Sequence, residues 1–133
     1  RITGFSGRKD LADRVQAHYT YVAGLFDIDP DYVHSWHTGH HPKTFYNGNA
    51  AADLTRWGSV AFNSPRYTHL HTCGNYPPGE ISLDIMDATI SLDGEVLWQD
   101  GEFIFTKRPD VRALLDDFPG HEDAFEQVWE IGI

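Results

Sequence analysis

Cysteine occurs once, at Cys73, so the chain cannot make an internal disulfide, and a lone thiol suits a reducing cytoplasm. Basic residues are scarce as well. Ten Lys and Arg stand against twenty Asp and Glu, a formal charge of −10, which repels phosphate backbones and anionic headgroups and argues against nucleic acid or a membrane surface as partner. No apolar run approaches the roughly 20 residues that span a bilayer, and no basic, apolar and small-residue series marks a secretion signal. Repeats and low-complexity segments are absent. The sequence opens on "RITGFSGRKD" without an initiating Met, so an upstream part is expected to be missing.

Aromatic residues are plentiful: four Trp, eight Phe and six Tyr make up 14% of the 133 residues. Such a chain buries enough apolar area to offset ordering entropy, and its length suits one domain, or the C-terminal part of a larger protein or assembly.

Leu11, Val15, Tyr19, Val22 and Phe26 recur at three- and four-residue spacing and predict a long N-terminal helix ending before Pro30. "VHSWHTGHHPKTFYNGN" has neither helical nor strand periodicity and reads as an ordered loop pinned by Trp36, Phe45 and Tyr46. "AAADLTRW" reads as a short helix and "GSVAF" as a short strand. Between Glu80 and Phe105, Asp93-Gly94 and Asp100-Gly101 mark tight hairpin turns and predict a three-stranded antiparallel meander, with Ile90, Leu92, Val96, Trp98, Phe103 and Phe105 facing inward. Two short C-terminal helices, Asp110 to Phe118 and His121 to Ile131, are expected on either side of Pro119-Gly120. The fold class is therefore α+β: mostly antiparallel sheet with a hairpin meander, one long N-terminal helix and two short C-terminal ones.

The chemistry is concentrated in "RYTHLHTCGNYPPGE". On an extended chain His69 and His71 point to the same side, because strand side chains alternate. The Gly and Pro pairs after them allow a reversal that returns Glu80 beside the imidazoles. Two imidazoles and a carboxylate are the facial set of mononuclear non-haem iron, and with an open position they equally suit catalytic zinc. A second group, His34, His37, His40 and His41, supplies further candidates, most of them expected to be bystanders. Cys73 reads as a small buried residue rather than a ligand, Asp84 and Asp87 as outer-shell or solvent-facing acids, and His18 and His121 as structural. Arg66 offers a planar fork for a substrate carboxylate or a surface ion pair, and Tyr67 or Tyr46 a hydroxyl near the metal or simply a packed ring.

"HTGHHP", "WGSVAF", a histidine-containing loop and "DATISLDGEVLWQDGEF", spread over roughly residues 34 to 105, together resemble the C-terminal half of the thermophilic-type metallo-aminopeptidases and of 2,5-dihydroxypyridine dioxygenase. The resemblance implies that His37 is a first ligand. It places Glu80 and Ser82 on the family's His-x-Asp pair, or, with a two-residue gap, Ser82 and Asp84; His69 or His71 then completes the set.

These readings give a ligand pool of His37, His69, His71 and Glu80, with Tyr67 and Arg66 as catalytic candidates. The expected cofactor is one divalent metal, Fe(II) before Zn or Mn. The first expectation is a metal-dependent enzyme on a small organic substrate, leaning to ring-cleaving dioxygenation by Fe(II), with an aminopeptidase-like hydrolase next. A non-catalytic assembly module is the alternative of a different class, and a cupin-like barrel ranks last. A homo-oligomer, or association with a second chain, is expected from the apolar surface that a missing N-terminal half would leave.

Overall fold

The computed structural model describes residues 1–72 and 81–133, and its fold is α+β: three α-helices and two antiparallel three-stranded sheets. No helix among the described residues is long and apolar enough to cross a membrane. The chain groups into two compact units, Arg1–His37 with His69–Asp84, and Thr38–Thr68 with Ile85–Ile133. One sheet has the order β1 (Val33–Thr38), β2 (Tyr67–Thr72), β3 (Ile81–Met86); the other is β4 (Ile90–Leu92), β5 (Glu95–Gln99), β6 (Glu102–Phe103).

In the first unit the predicted helix forms as α1, Lys9–Phe26. Lys9 and Asp13 pair one turn apart at 2.6 Å, and Asp27 ends the helix in the left-handed region, its N–H returning to the Ala23 carbonyl. The apolar stripe is only half used. Tyr19 and Ala23 are buried with Ile28 and Ile81, and Ile2, Phe5, Val22 and Leu83 close around them, whereas Leu11, Val15 and Phe26 remain exposed. Phe5 meets the Tyr19 ring edge-on at 5.7 Å.

Burial pushes the Tyr19 hydroxyl above its ordinary pKa, and the Thr72 hydroxyl offsets part of that rise. Neither hydroxyl completes a well-formed hydrogen bond among the described residues. An unfolded tyrosine loses its proton near about 10, so this group's contribution is fully present below that pH and is lost as pH climbs through the higher folded value. Tyr19→Phe should therefore leave stability within about 1 kcal/mol at pH 7 and flatten its decline above about pH 10. Thermal melts across that range are the check, and parallel alkaline declines in the two proteins would refute the assignment.

In the second unit the segment expected as a strand, "GSVAF", is the end of a helix: α2 runs Leu54–Ala61, preceded by a 3-10 turn at Ala50–Ala52. Asp53 decides this, since its carboxylate accepts the Arg56 N–H at 3.0 Å and starts a helix that carries Trp57 and Ala61 into the core. Trp57 and Tyr67 pack edge-to-face at 5.6 Å, with Ala61 fully buried and Tyr46, Ala50 and Met86 around them. The stretch read as a loop is also corrected, because its first six residues form β1.

The meander forms as β4, β5 and β6, with both turn residues at positive φ in each Asp-Gly pair: Asp93 51° and Gly94 85°, Asp100 48° and Gly101 80°. Its first run is broken at Asp87, which takes φ 52° and separates β3 from β4. The inward set is smaller than expected. Leu92 and Val96 are exposed, Phe105 falls in a 3-10 turn, and the packing is a stack of Trp98 on Phe103 at 4.5 Å and Phe103 on Phe105 at 5.6 Å.

Of the two C-terminal helices, the first shrinks to α3, Pro109–Arg112, followed by a 3-10 stretch at Ala113–Asp117, and the second does not form. Its backbone bonds go elsewhere: Val128 N–H donates to the Pro42 carbonyl, while the Glu130 and Gly132 carbonyls accept from Tyr46 and Ala50. Ile131 is fully buried and its carbonyl accepts the Trp57 indole N–H at 2.6 Å. Those long-range bonds replace the local ones a helix would make.

Candidate metal centre

Three histidines of the first unit converge. His69 and His71 project from one face of β2, two residues apart, and His37 comes from β1, the neighbouring strand. The opposite face of β2 turns Thr72 toward Tyr19 and the apolar core, so the pleat separates a core side from a histidine side. On β3 the same alternation gives Ile81 and Leu83 to the core and leaves Ser82 and Asp84 on the histidine side.

The rings lie close together. His37 stacks on His69 with centroids 4.7 Å apart and planes 11° apart, His69 meets His71 edge-on at 4.9 Å, and His37 meets His71 edge-on at 5.4 Å. One ring nitrogen from each lies within 4.8 Å of the other two. The centroid distances can be compared with metal geometry. At a metal–nitrogen distance of about 2.1 Å a ring centroid sits about 3.2 Å from the ion, so neighbouring ligands have centroids about 4.5 to 5.2 Å apart between octahedral and tetrahedral angles. The observed separations fall in or next to that range, and because the His37 and His69 planes are nearly parallel, one of these two rings must turn for all three nitrogens to face one point.

Burial is graded across the group: His69 is buried, His71 half-buried and His37 exposed. The ligand positions are thus held from the sheet side, and the approach is open at His37. Neutral imidazole nitrogens suit Zn, Fe, Cu or Ni, and three of them leave coordination positions for water or substrate.

Of the predicted ligands, His37, His69 and His71 come together; Glu80 lies outside the described residues, as does Cys73. Asp84, on the histidine side of β3, does not join the close group, and neither do His34, His40 and His41. Arg66 and Tyr67 belong to the second unit, and each has a packing task there. Tyr67 is 3% exposed within the Trp57 cluster. Arg66 sets its fork on Asp87, Nε and Nη2 each donating at 2.7 Å, while Nη1 donates to the Trp129 carbonyl at 2.8 Å. Asp87 holds the guanidinium proton more firmly than usual, chiefly through that hydrogen bond. The ion-pair reading of Arg66 is the one the geometry fits.

Removing the fork tests this. Fully buried pairs cost about 3 to 5 kcal/mol to break, but Asp87 is 40% exposed, so Arg66→Met should cost about 1 to 2 kcal/mol. Arg66→Lys should recover only part of that, because a point charge cannot match both carboxylate oxygens. Urea midpoints measure both, and full recovery by lysine would deny the fork its role.

No protein-family model, curated protein or solved structure matches the chain.

Proposed function

We propose that this chain is a metal-dependent enzyme that holds one divalent transition-metal ion on His37, His69 and His71 and acts on a small organic substrate. The observation that carries the reading is the convergence of three ring nitrogens, from two strands, within 4.8 Å. Our first assignment is a mononuclear non-haem Fe(II) centre that opens a hydroxylated aromatic ring with O2, supported by the histidine-rich donor set and by the sequence resemblance to 2,5-dihydroxypyridine dioxygenase. The ion would supply Lewis acidity and, as iron, electrons for O2. The protein's part is to fix the imidazoles from a buried strand and to leave one side open at the exposed His37.

A second reading, a zinc-dependent hydrolase, is favoured by the neutrality of the three-imidazole set. Such donors leave the full charge on the ion, the condition under which bound water loses its proton near neutrality. On its single cysteine we place the chain in a reducing cytoplasm, and we expect it to associate with another copy or chain.

Anaerobic reconstitution with Fe(II), Zn or Mn, followed by elemental analysis and a screen of hydroxylated aromatic acids and short peptides, is the test. One metal per chain with oxygen uptake on a dihydroxylated ring supports the first assignment, and peptide hydrolysis the second. A chain that retains no metal and shows no thermal shift on adding any of the three refutes the proposal.

A further inference from the structure

The uncovered half of α1 borders a cleft. Leu11 and Val15 are 44% and 37% exposed, and with Ile81 and Leu83 of β3 they form the apolar lining of a cavity of about 620 Å³ within the first unit. That volume lies in the range of small-molecule sites, about 300 to 1,000 Å³, which are largely apolar with a few polar groups that set orientation. Here those groups include the Arg14 guanidinium and the His18 imidazole. Arg14 and His18 sit one helical turn apart on the rim.

The charges of the first unit single out Arg14. Its lysines and arginines are Arg1, Arg8, Lys9 and Arg14. Arg1 pairs with Asp29 at 3.2 Å, Arg8 with Asp10 at 2.8 Å and Lys9 with Asp13 at 2.6 Å. Arg14 alone has no acidic partner among the described residues, although acids outnumber bases two to one in the chain. The neighbouring carboxylates of α1, Asp10 and Asp13, are both committed to other cations. An apolar trough with an uncommitted guanidinium at its edge complements a molecule with one carboxylate and a hydrocarbon body. The planar fork can take both oxygens of a carboxylate.

We infer that this cleft binds a small amphipathic carboxylate, its head on Arg14 beside His18 and its apolar body on Leu11, Val15, Ile81 and Leu83. The site lies on the core side of the sheet, opposite the face that carries the three histidines.

The probe is octanoate, titrated calorimetrically into the whole chain beside octanamide and octylammonium of the same chain length. Octanoate should bind one per chain and about tenfold or more tighter than octanamide, the margin expected of a charge-assisted pair. Octylammonium should bind weakest. Arg14→Ala, a change at an exposed helix position, should erase the margin between octanoate and octanamide, and Val15→Glu should weaken both. His37→Ala should alter none of these. Octanoate that fails to bind at millimolar concentration, octanamide or octylammonium binding as tightly, or undiminished octanoate affinity in Arg14→Ala would each overturn the assignment. So would a dimer, by sedimentation, that Val15→Glu dissociates and octanoate does not, because the occupant would then be a second copy.

Discussion

With alanine at His37 the chain should fold as the parent does and hold its metal at least about 100-fold more weakly. The first half of the expectation follows from exposure: His37 is an exposed residue, so its truncation opens no buried cavity, and surface changes usually stay within about 0.5 kcal/mol. The second half follows from coordination. Loss of a residue that merely orients a ligand already costs about 10- to 100-fold in metal affinity, and loss of a ligand should exceed that. His69→Ala should lose metal as completely and cost stability as well, because His69 is only 9% exposed and its ring packs against both of the others. His71→Ala belongs with them. His18→Ala and His34→Ala should leave metal content unchanged, since neither joins the group. Competition with a chelating dye gives the affinities, and circular dichroism follows the fold. Parental affinity in His37→Ala would mean that the ring on β1 is not a ligand.

The same comparison shows what the sequence could tell. His-x-His on an extended segment fixes two rings on one side of a strand, so their pairing was legible from period two alone. His37 was harder. Its stretch carries Gly, Pro and four histidines and no period, so a strand there was hidden, and only tertiary pairing with β2 turns His37 rather than His34 toward His69. The two Asp-Gly turns were readable because their positive φ angles are written in the residue types. The C-terminal segment was not, because Ile131 and its carbonyl are claimed by Trp57, 74 positions away, and periodicity carries no trace of so distant a bond. "GSVAF" misled for a related reason. Five residues cannot show whether they continue a helix, and the deciding signal was the cap at Asp53. On α1 the spacing predicts an amphipathic stripe, but a stripe does not say how much of itself is covered, and the exposed half borders the cleft.

Gly39→Ala should cost about 3 kcal/mol or more, enough to lower the melting temperature by roughly 10 °C. Gly39 has an ordinary φ, so conformational freedom is not its purpose. Its need is space. A Cβ there would fall inside contact distance of the Ser64 carbonyl oxygen and carbon and 2.6 Å from the Asn63 carbonyl carbon, all of them backbone atoms. They cannot turn aside as a side chain would. Residues on both sides are fastened: Gly39 N–H donates to the Tyr67 carbonyl at 3.1 Å, His41 N–H to the Asn63 carbonyl at 2.8 Å, and the Gly39 carbonyl accepts the Trp98 indole at 2.9 Å. Relief of the clash must therefore break at least one of these bonds, and a buried polar group left unpaired adds about 1 to 3 kcal/mol. Gly58→Ala is the control, because nothing lies within 4 Å of a Cβ at that helical position and alanine is the better helix former. It should stabilise by up to about 1 kcal/mol. Equal melting temperatures for Gly39→Ala and the parent would show that the backbone at Ser64 yields more easily than its hydrogen bonds imply.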